Sequence, residues 1–304
     1  MIINKNIIES GIYGLAVGDA LGVPYEFSIR ERISPPCTDM IGYGTYGKPA
    51  GTWSDDTSMT LATADALAEM KDGDYKAIMN NFSAWLYQGK YSVDGTFDVG
   101  RTCLEAIDRF NRGIAPVDCG GKDIFDNGNG SLMRILPASL YALGKRDNYD
   151  KGFIDDISSL THGHSISRAA CKIYTDIIKS ILQKASKEIF PLTEIYGQSV
   201  FARLTQKEFY SLPADKINSS GYVVATLEAA LWCFYNTENF RDCVLKAVNL
   251  GGDTDTVAAV AGGLAGLYYG KQSIPAEWIE TLRGKDIIDK VIEKLHNRIL
   301  SETK

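Results

Sequence analysis

The sequence predicts an all-α protein, a compact single-domain orthogonal helical bundle over residues 1–304, and three observations predict it. Apolar residues recur at helical spacing along most of the chain. Stretches alternating apolar and polar between turn signals are scarce. Two segments carry small residues at every fourth position, and residues at i and i+4 share a helix face. With 304 residues, 45% hydrophobic and 23% charged, the chain can bury a core without disulfide staples. Its net charge of −6 disfavours general nucleic-acid binding or an anionic membrane surface.

The elements follow in order. In the first segment Gly14, Gly18 and Gly22 form a stripe without side chains. Glycine costs about 1 kcal/mol against alanine inside a helix, so the stripe implies close approach of another helix. Glu9 and Asp19 interrupt this segment, so a secretory leader is not expected. A helix is expected from near Thr57, where Met59, Ala62, Ala66, Leu67 and Met70 share one apolar face. Similar faces cover 76–87, 99–110, 166–182, 222–235 and 240–249. The region 186–220, with Pro191, Pro213 and a polar turn at 219–221, is expected to be a surface insertion within the domain. The second small-residue helix carries Ala258, Gly262, Gly266 and Gly270 and should pack on the first. Its uncharged run, Val257 to Tyr269, is shorter than the roughly 20 residues that span a bilayer. Ile287, Ile288, Val291, Ile292, Leu295 and Ile299 give the last helix its buried side. Cys37, Cys103, Cys119, Cys171, Cys233 and Cys243 show no CxxC pair, and three histidines are too few for a zinc site. Reduced thiols and a cytoplasmic, monomeric protein are expected.

Two acidic clusters carry the chemistry, Ser54-Asp55-Asp56-Thr57 and Asp253-Thr254-Asp255-Thr256. Each precedes a long apolar-periodic helix, and each alone reads as an N-cap with carboxylates in the first turn. A cap needs one oxygen, however, and each cluster offers two carboxylates with flanking hydroxyls. Brought together, they could hold two Mg²⁺ or Mn²⁺ ions about 3.5–4 Å apart at the centre of the bundle. Asp19 and Glu26 lie on and just after the first glycine-striped helix. A glycine-rich stretch, Cys119-Gly120-Gly121 and then Asp126 to Arg134, could cradle phosphate oxygens with backbone N–H groups or simply mark turns. Arg134 could balance a diphosphate or pair with a surface acid. His162 and His164 follow an apolar helical run, where capping or core roles compete with ligand contact.

Read in order, several motifs resemble one family. They are Gly-Asp-Ala-Leu-Gly at 18–22, Trp-Ser-Asp-Asp-Thr-Ser-Met at 53–59, Phe-Asp-Val-Gly at 97–100 and Asn-Gly-Ser-Leu-Met-Arg at 129–134. Thr-His-Gly-His at 161–164, the run from Ser220 to Trp232, and Gly-Gly-Asp-Thr-Asp-Thr at 251–256 continue the series. The ordered set resembles the ADP-ribosylglycohydrolases, which include the dinitrogenase reductase-activating glycohydrolase of bacteria. It runs from about residue 10 to 283.

The resemblance implies a binuclear Mg²⁺ or Mn²⁺ centre that removes ADP-ribose from modified protein side chains. By position, Ser54, Asp55, Asp56, Asp253, Asp255 and Thr256 match metal ligands. Glu26, Asp98 and Asp56 are the candidate catalytic residues, with proton transfer expected at Glu26 or Asp98. Gly128, Asn129, Gly130, Ser131 and Met133 match a loop that wraps the diphosphate and distal ribose, and His162 and Tyr222 match substrate-pocket positions. The run Thr-Leu-Glu-Ala-Ala-Leu-Trp leans toward an arginine linkage, with water attacking C1″ of the ribose. Serine-linked, acyl or free small conjugates, and a silent ADP-ribose binder, are the alternatives. A helical terpenoid synthase also uses Mg²⁺ and an Asp-Asp motif, but Met59 and Thr60 stand where it needs another acid.

Overall fold

The computed structural model describes residues 1–71, 73–145, 150–183, 187, 192 and 194–302. Helix α1, Lys5–Gly22, starts where the Asn4 side chain accepts from the Ile7 N–H. Helix α2, Asp55–Glu69, begins two residues before Thr57, because the Ser54 hydroxyl caps it and draws both aspartates into the first turn. Helix α3, Lys76–Gln88, ends on a left-handed Gly89, and α4 is Arg101–Asn111. Next come α5, Leu136–Lys145, buried along most of its length, and α6, Lys151–Ser159. Helix α7, Ser165–Leu182, is capped by the His164 imidazole, which accepts from the Ile166 N–H. After the short α8, Lys207–Tyr210, come α9, Val223–Tyr235, and α10, Phe240–Val248, capped by Asn239. Helices α11, Thr254–Tyr269, α12, Ala276–Thr281, and α13, Lys285–Glu302, complete the chain. Among the described residues there is no strand, only isolated bridges such as Gly121 with His162 and Gly128 with Tyr222.

The two small-residue helices form the centre, as their composition predicts. A Cβ on Gly14 would run into the Gly262 carbonyl, one on Gly18 into Ala258, and one on Gly266 into the Ser10 carbonyl. Bare backbone therefore faces bare backbone along the α1–α11 seam. Gly270 corrects the expected stripe: α11 stops at Tyr269, and Gly270 caps it at φ 85°, ψ 157°. That conformation is open to glycine and costly for other residues, so this position ends the helix instead of packing it.

The remaining helices wrap this pair. Helix α13 buries Ile288, Val291, Ile292, Leu295 and Ile299 and is pinned by Tyr13 Oη donating to Asp289 at 2.7 Å and Lys294 to Asp65 at 2.8 Å. Helix α7 reaches the seam through Tyr174 Oη, which donates to the Val260 carbonyl at 3.1 Å.

Residues 186, 188–191 and 193 of the expected insertion lie outside the described residues. The described remainder of 186–220 lies on α9, burying Phe201, Leu204, Phe209 and Tyr210, with Arg203 paired to Glu228 at 2.9 Å. All six cysteines are free and buried, and among the described residues no helix is long and apolar enough to cross a membrane.

Candidate active site

The packing of α1 on α11 decides where the acids meet. Thr254 Oγ1 donates to the Gly22 carbonyl at 2.7 Å, tying the start of α11 to the end of α1. The start of α2 is fixed from the same helix: Asp19 Oδ1 accepts from the Ser54 N–H at 2.9 Å. Its Oδ2 accepts from the Thr57 N–H at 2.9 Å and the Thr57 hydroxyl at 2.6 Å. Asp19 thus satisfies donors at the N-terminus of α2 from across the bundle. Burial pushes its carboxyl up to about 6 against these hydrogen bonds.

The two acidic clusters are in direct contact. Thr256 Oγ1 donates to Asp56 Oδ2 at 3.3 Å, and Ser54 Oγ donates to the same oxygen at 3.0 Å. Carboxylate oxygens of Asp19, Asp56 and Asp255 lie within 4.8 Å of one another, as do those of Glu26, Asp98 and Asp255. Burial first, then neighbouring carboxylates, push Asp55, Asp56 and Asp255 well above the ordinary range. Burial and Asp98 push Glu26 up to about 9.

Glu26 Oε2, Asp56 Oδ1, Asp253 Oδ1 and Asp255 Oδ2 are buried without a hydrogen-bond partner among the described residues. Such orphans are expensive unless something positive meets them. The nearby Arg101 does not supply that charge, being paired with Glu105 and Asp126 at 3.0 Å each. An all-oxygen donor set of carboxylates and hydroxyls fits hard divalent cations.

A cleft of about 240 Å³ opens over the cluster. Its lining includes Glu26, Asp55, Asp98, Asp253 and Thr256 together with Gly128, Asn129, Gly130, Met133 and His162. Asn129 ties the glycine loop to the acidic cluster, its Nδ2 donating to Asp253 Oδ2 at 2.8 Å. Ser54, Asp56 and Asp255 lie beneath, fully or almost fully buried. Ser131 is not brought to the cleft: it is fully buried, and its hydroxyl oxygen lies 3.0 Å from that of Ser158. Tyr222 stands outside the lining, 40% exposed, beside Gly128.

Arg134 corrects both roles expected of it. It is fully buried away from any surface acid and does not line the cleft; its Nη2 donates to Thr161 Oγ1 at 2.7 Å and to the Ile157 carbonyl at 3.3 Å. Its position two residues before α5, buried from Leu136 to Gly144, leaves it no path outward.

Sequence reasoning missed Tyr46, whose Oη donates to Asp98 Oδ1 at 2.8 Å. Nothing in its surroundings in the chain signals this, since the contact crosses from one loop to another. Asp98 and Phe27, both at the cleft, hold left-handed backbone at φ 55° and 61°. Phe27 is anchored there by its N–H donating to the Gly252 carbonyl at 2.7 Å. Backbone strain of this kind concentrates at functional sites.

The all-helical scaffold and the buried all-oxygen carboxylate centre beneath the cleft define a class of site, one that fits hard divalent cations. The family model described as ADP-ribosylglycohydrolase matches residues 4–304, and the chain belongs to that family. It is 35% identical over 296 residues to the ADP-ribosylarginine hydrolase Tri1 of Pseudomonas putida (strain GB-1), covering 95% of this chain and 78% of the relative. It is 33% identical over 279 residues to the ADP-ribosyl-[dinitrogen reductase] glycohydrolase of Rhodospirillum rubrum, covering 88% and 87%. A solved structure described as an ADP-ribosylglycohydrolase-related protein complex superposes with a TM-score of 0.83 at 30% identity, covering 97% of this chain and 98% of that one.

Proposed function

We propose that this protein hydrolyses the N-glycosidic bond between ADP-ribose and arginine side chains of modified proteins, releasing ADP-ribose. The observation that carries the reading is the set of orphaned carboxylate oxygens beneath the cleft, in a chain a third identical to hydrolases named for ADP-ribosylarginine and for ADP-ribosylated dinitrogen reductase. Ser54, Asp55, Asp56, Asp253, Asp255 and Thr256 would hold two divalent cations, Mg²⁺ or Mn²⁺. When bound, such ions orient vicinal hydroxyls and lower the pKa of a water.

The chain's own residues account for the remaining steps. Cleavage breaks the bond from C1″ to the guanidine nitrogen and forms one from C1″ to a water oxygen, through an oxocarbenium-like state. Glu26 and Asp98 share one end of the cleft and are the groups that take the water's proton and return one to the leaving nitrogen. Tyr46 donates to Asp98 and holds that carboxylate toward Glu26. The acidic wall also suits a cationic guanidinium better than a neutral serine hydroxyl. The glycine loop at 128–130 and His162 also line the cleft, and the ADP half of the substrate would lie against them. Free buried thiols support action in a reducing cytoplasm.

Release of ADP-ribose from matched arginine-linked and serine-linked peptides tests the linkage. Release from the arginine peptide at least about tenfold faster than from the serine peptide is expected, a difference of about 1.4 kcal/mol in barrier. Equal release, or preference for serine, would overturn the arginine assignment.

A further inference from the structure

Arg134 poses a question the metal centre does not answer. It is a fully buried cation whose Nε and Nη1 have no hydrogen-bond partner and which, among the described residues, pairs with no carboxylate. Its guanidinium lies 4.6 Å over the Phe82 ring. Burying a guanidinium this way is costly, and a methionine would fill similar space at lower cost. Its short contact is the 2.7 Å donation to Thr161 Oγ1, and that oxygen lies 2.9 Å from His162 Nδ1.

We infer that Arg134 and Thr161 form a positioning relay that fixes His162 as the Nε2–H tautomer and aims that N–H at the cleft as a hydrogen-bond donor to a ligand oxygen. Donor and acceptor inventories favour this direction. Arginine can only donate, so the Thr161 oxygen accepts from it and the single hydroxyl proton is left to give. Imidazole nitrogen is the strong acceptor within reach. The competing acceptor is the Cys103 sulfur, which also contacts Thr161 and accepts weakly. With Nδ1 accepting, the ring proton resides on Nε2.

The ring is held so that this edge faces the ligand. His162 is buried and lines the cleft. Its N–H donates to the Ser158 carbonyl at 2.8 Å, and Ser158 Oγ donates to the His162 carbonyl at 3.0 Å. The Nε2 edge abuts the glycine loop: a Cβ on Gly130 would stand 2.8 Å from Cε1, and one on Gly128 3.4 Å from Nε2. The two missing side chains therefore leave Nε2 a path to the cleft. Burial first, then the Arg134 charge, push the imidazole down to about 3. The donor is neutral, suited to a phosphate or ribose oxygen without adding charge beside the metal centre. The identity of the ligand rests on the ADP-ribose reading; the tautomer does not.

Nitrogen-15 spectra of the histidine side chains in the ligand-free protein test the relay directly, with ADP-ribose affinity as the second readout. The wild type should show His162 protonated at Nε2 and bare at Nδ1. Thr161→Val should mix the tautomers and weaken ADP-ribose binding about threefold to tenfold, the loss of one neutral hydrogen bond. Thr161→Ser should restore both, which a purely structural role for the threonine methyl would not. Arg134→Met should act in the same direction; if it does not fold, the Thr161 pair decides. An Nδ1–H tautomer in the wild type, or a folded Thr161→Val with both readouts unchanged, would overturn the relay. If the wild type binds no ADP-ribose, the functional reading fails, and the tautomer measurement alone decides the relay.

Discussion

A histidine buried beside an arginine, with its imidazole pushed down to about 3, makes the folded state resist protonation. In the unfolded chain the same ring takes a proton near pH 6.5. The unfolded state therefore binds more protons between these values, and stability falls as the pH falls through that window. The contribution of His162 is fully present above pH 6.5 and reaches a loss of about 2 kcal/mol at pH 5, at 1.36 kcal/mol per unit. Denaturant unfolding of the wild type and His162→Gln at pH 7 and pH 5 should show their stability difference shift by that amount against the wild type. A difference independent of pH would mean that the imidazole is not held neutral by its surroundings. Other single residues show how far sequence carries. The paired aspartates at 55–56 and 253–255 are legible because they offer more oxygens than a helix cap uses. Tyr46 is not, since its partner Asp98 is 52 positions away. Arg134 misleads for a related reason: its meaning depends on Thr161, 27 positions on, and on burial that neither residue announces.

At the scale of elements, the glycine stripes are the most informative feature of the chain. Glycine inside a helix is costly, so its recurrence in α1 and α11 points to a contact that needs bare backbone. Gly18→Val should therefore force α1 off α11, since its Cβ would enter the Ala258 backbone. A loss of about 3 kcal/mol or more is expected, read as a lower urea midpoint with an unchanged m-value. A variant as stable as the wild type would contradict the close seam. Helix ends were harder to read. The α2 start shifts from Thr57 to Asp55 because a serine side chain and Asp19 from another helix satisfy its first turn. Gly270 continues the four-residue rhythm yet leaves the helix, because rhythm alone does not distinguish packing from a C-cap. The glycine-rich stretch before residue 134 is largely buried, held by Asn129 through Asp253 and Thr226.

The whole molecule converts a helical bundle into a site by stacking two helix starts and one helix end around a single acidic volume. Asp19, Asp55, Asp56 and Asp255 are each buried there, with the half-buried Asp253 beside them, and each carboxylate raises the cost of ionising its neighbours. A fold selected for stability alone would not gather them without a positive partner. The ordered motifs make this assembly legible from end to end of the chain, whereas the cross-bundle contacts that aim each carboxylate emerge only from the fold. The account depends most on divalent cations at that centre driving ADP-ribose release. The decisive measurement is release from an ADP-ribosyl-arginine peptide by chelated protein, before and after Mg²⁺ or Mn²⁺ is returned, with Asp56→Ala in parallel. The expected result is loss of at least about a hundredfold in rate with chelator, about 2.7 kcal/mol. Returned cation should restore the rate in the wild type and fail to do so in Asp56→Ala. Release that is indifferent to chelator, or full rescue of Asp56→Ala, would contradict the carboxylate centre as the engine of the reaction.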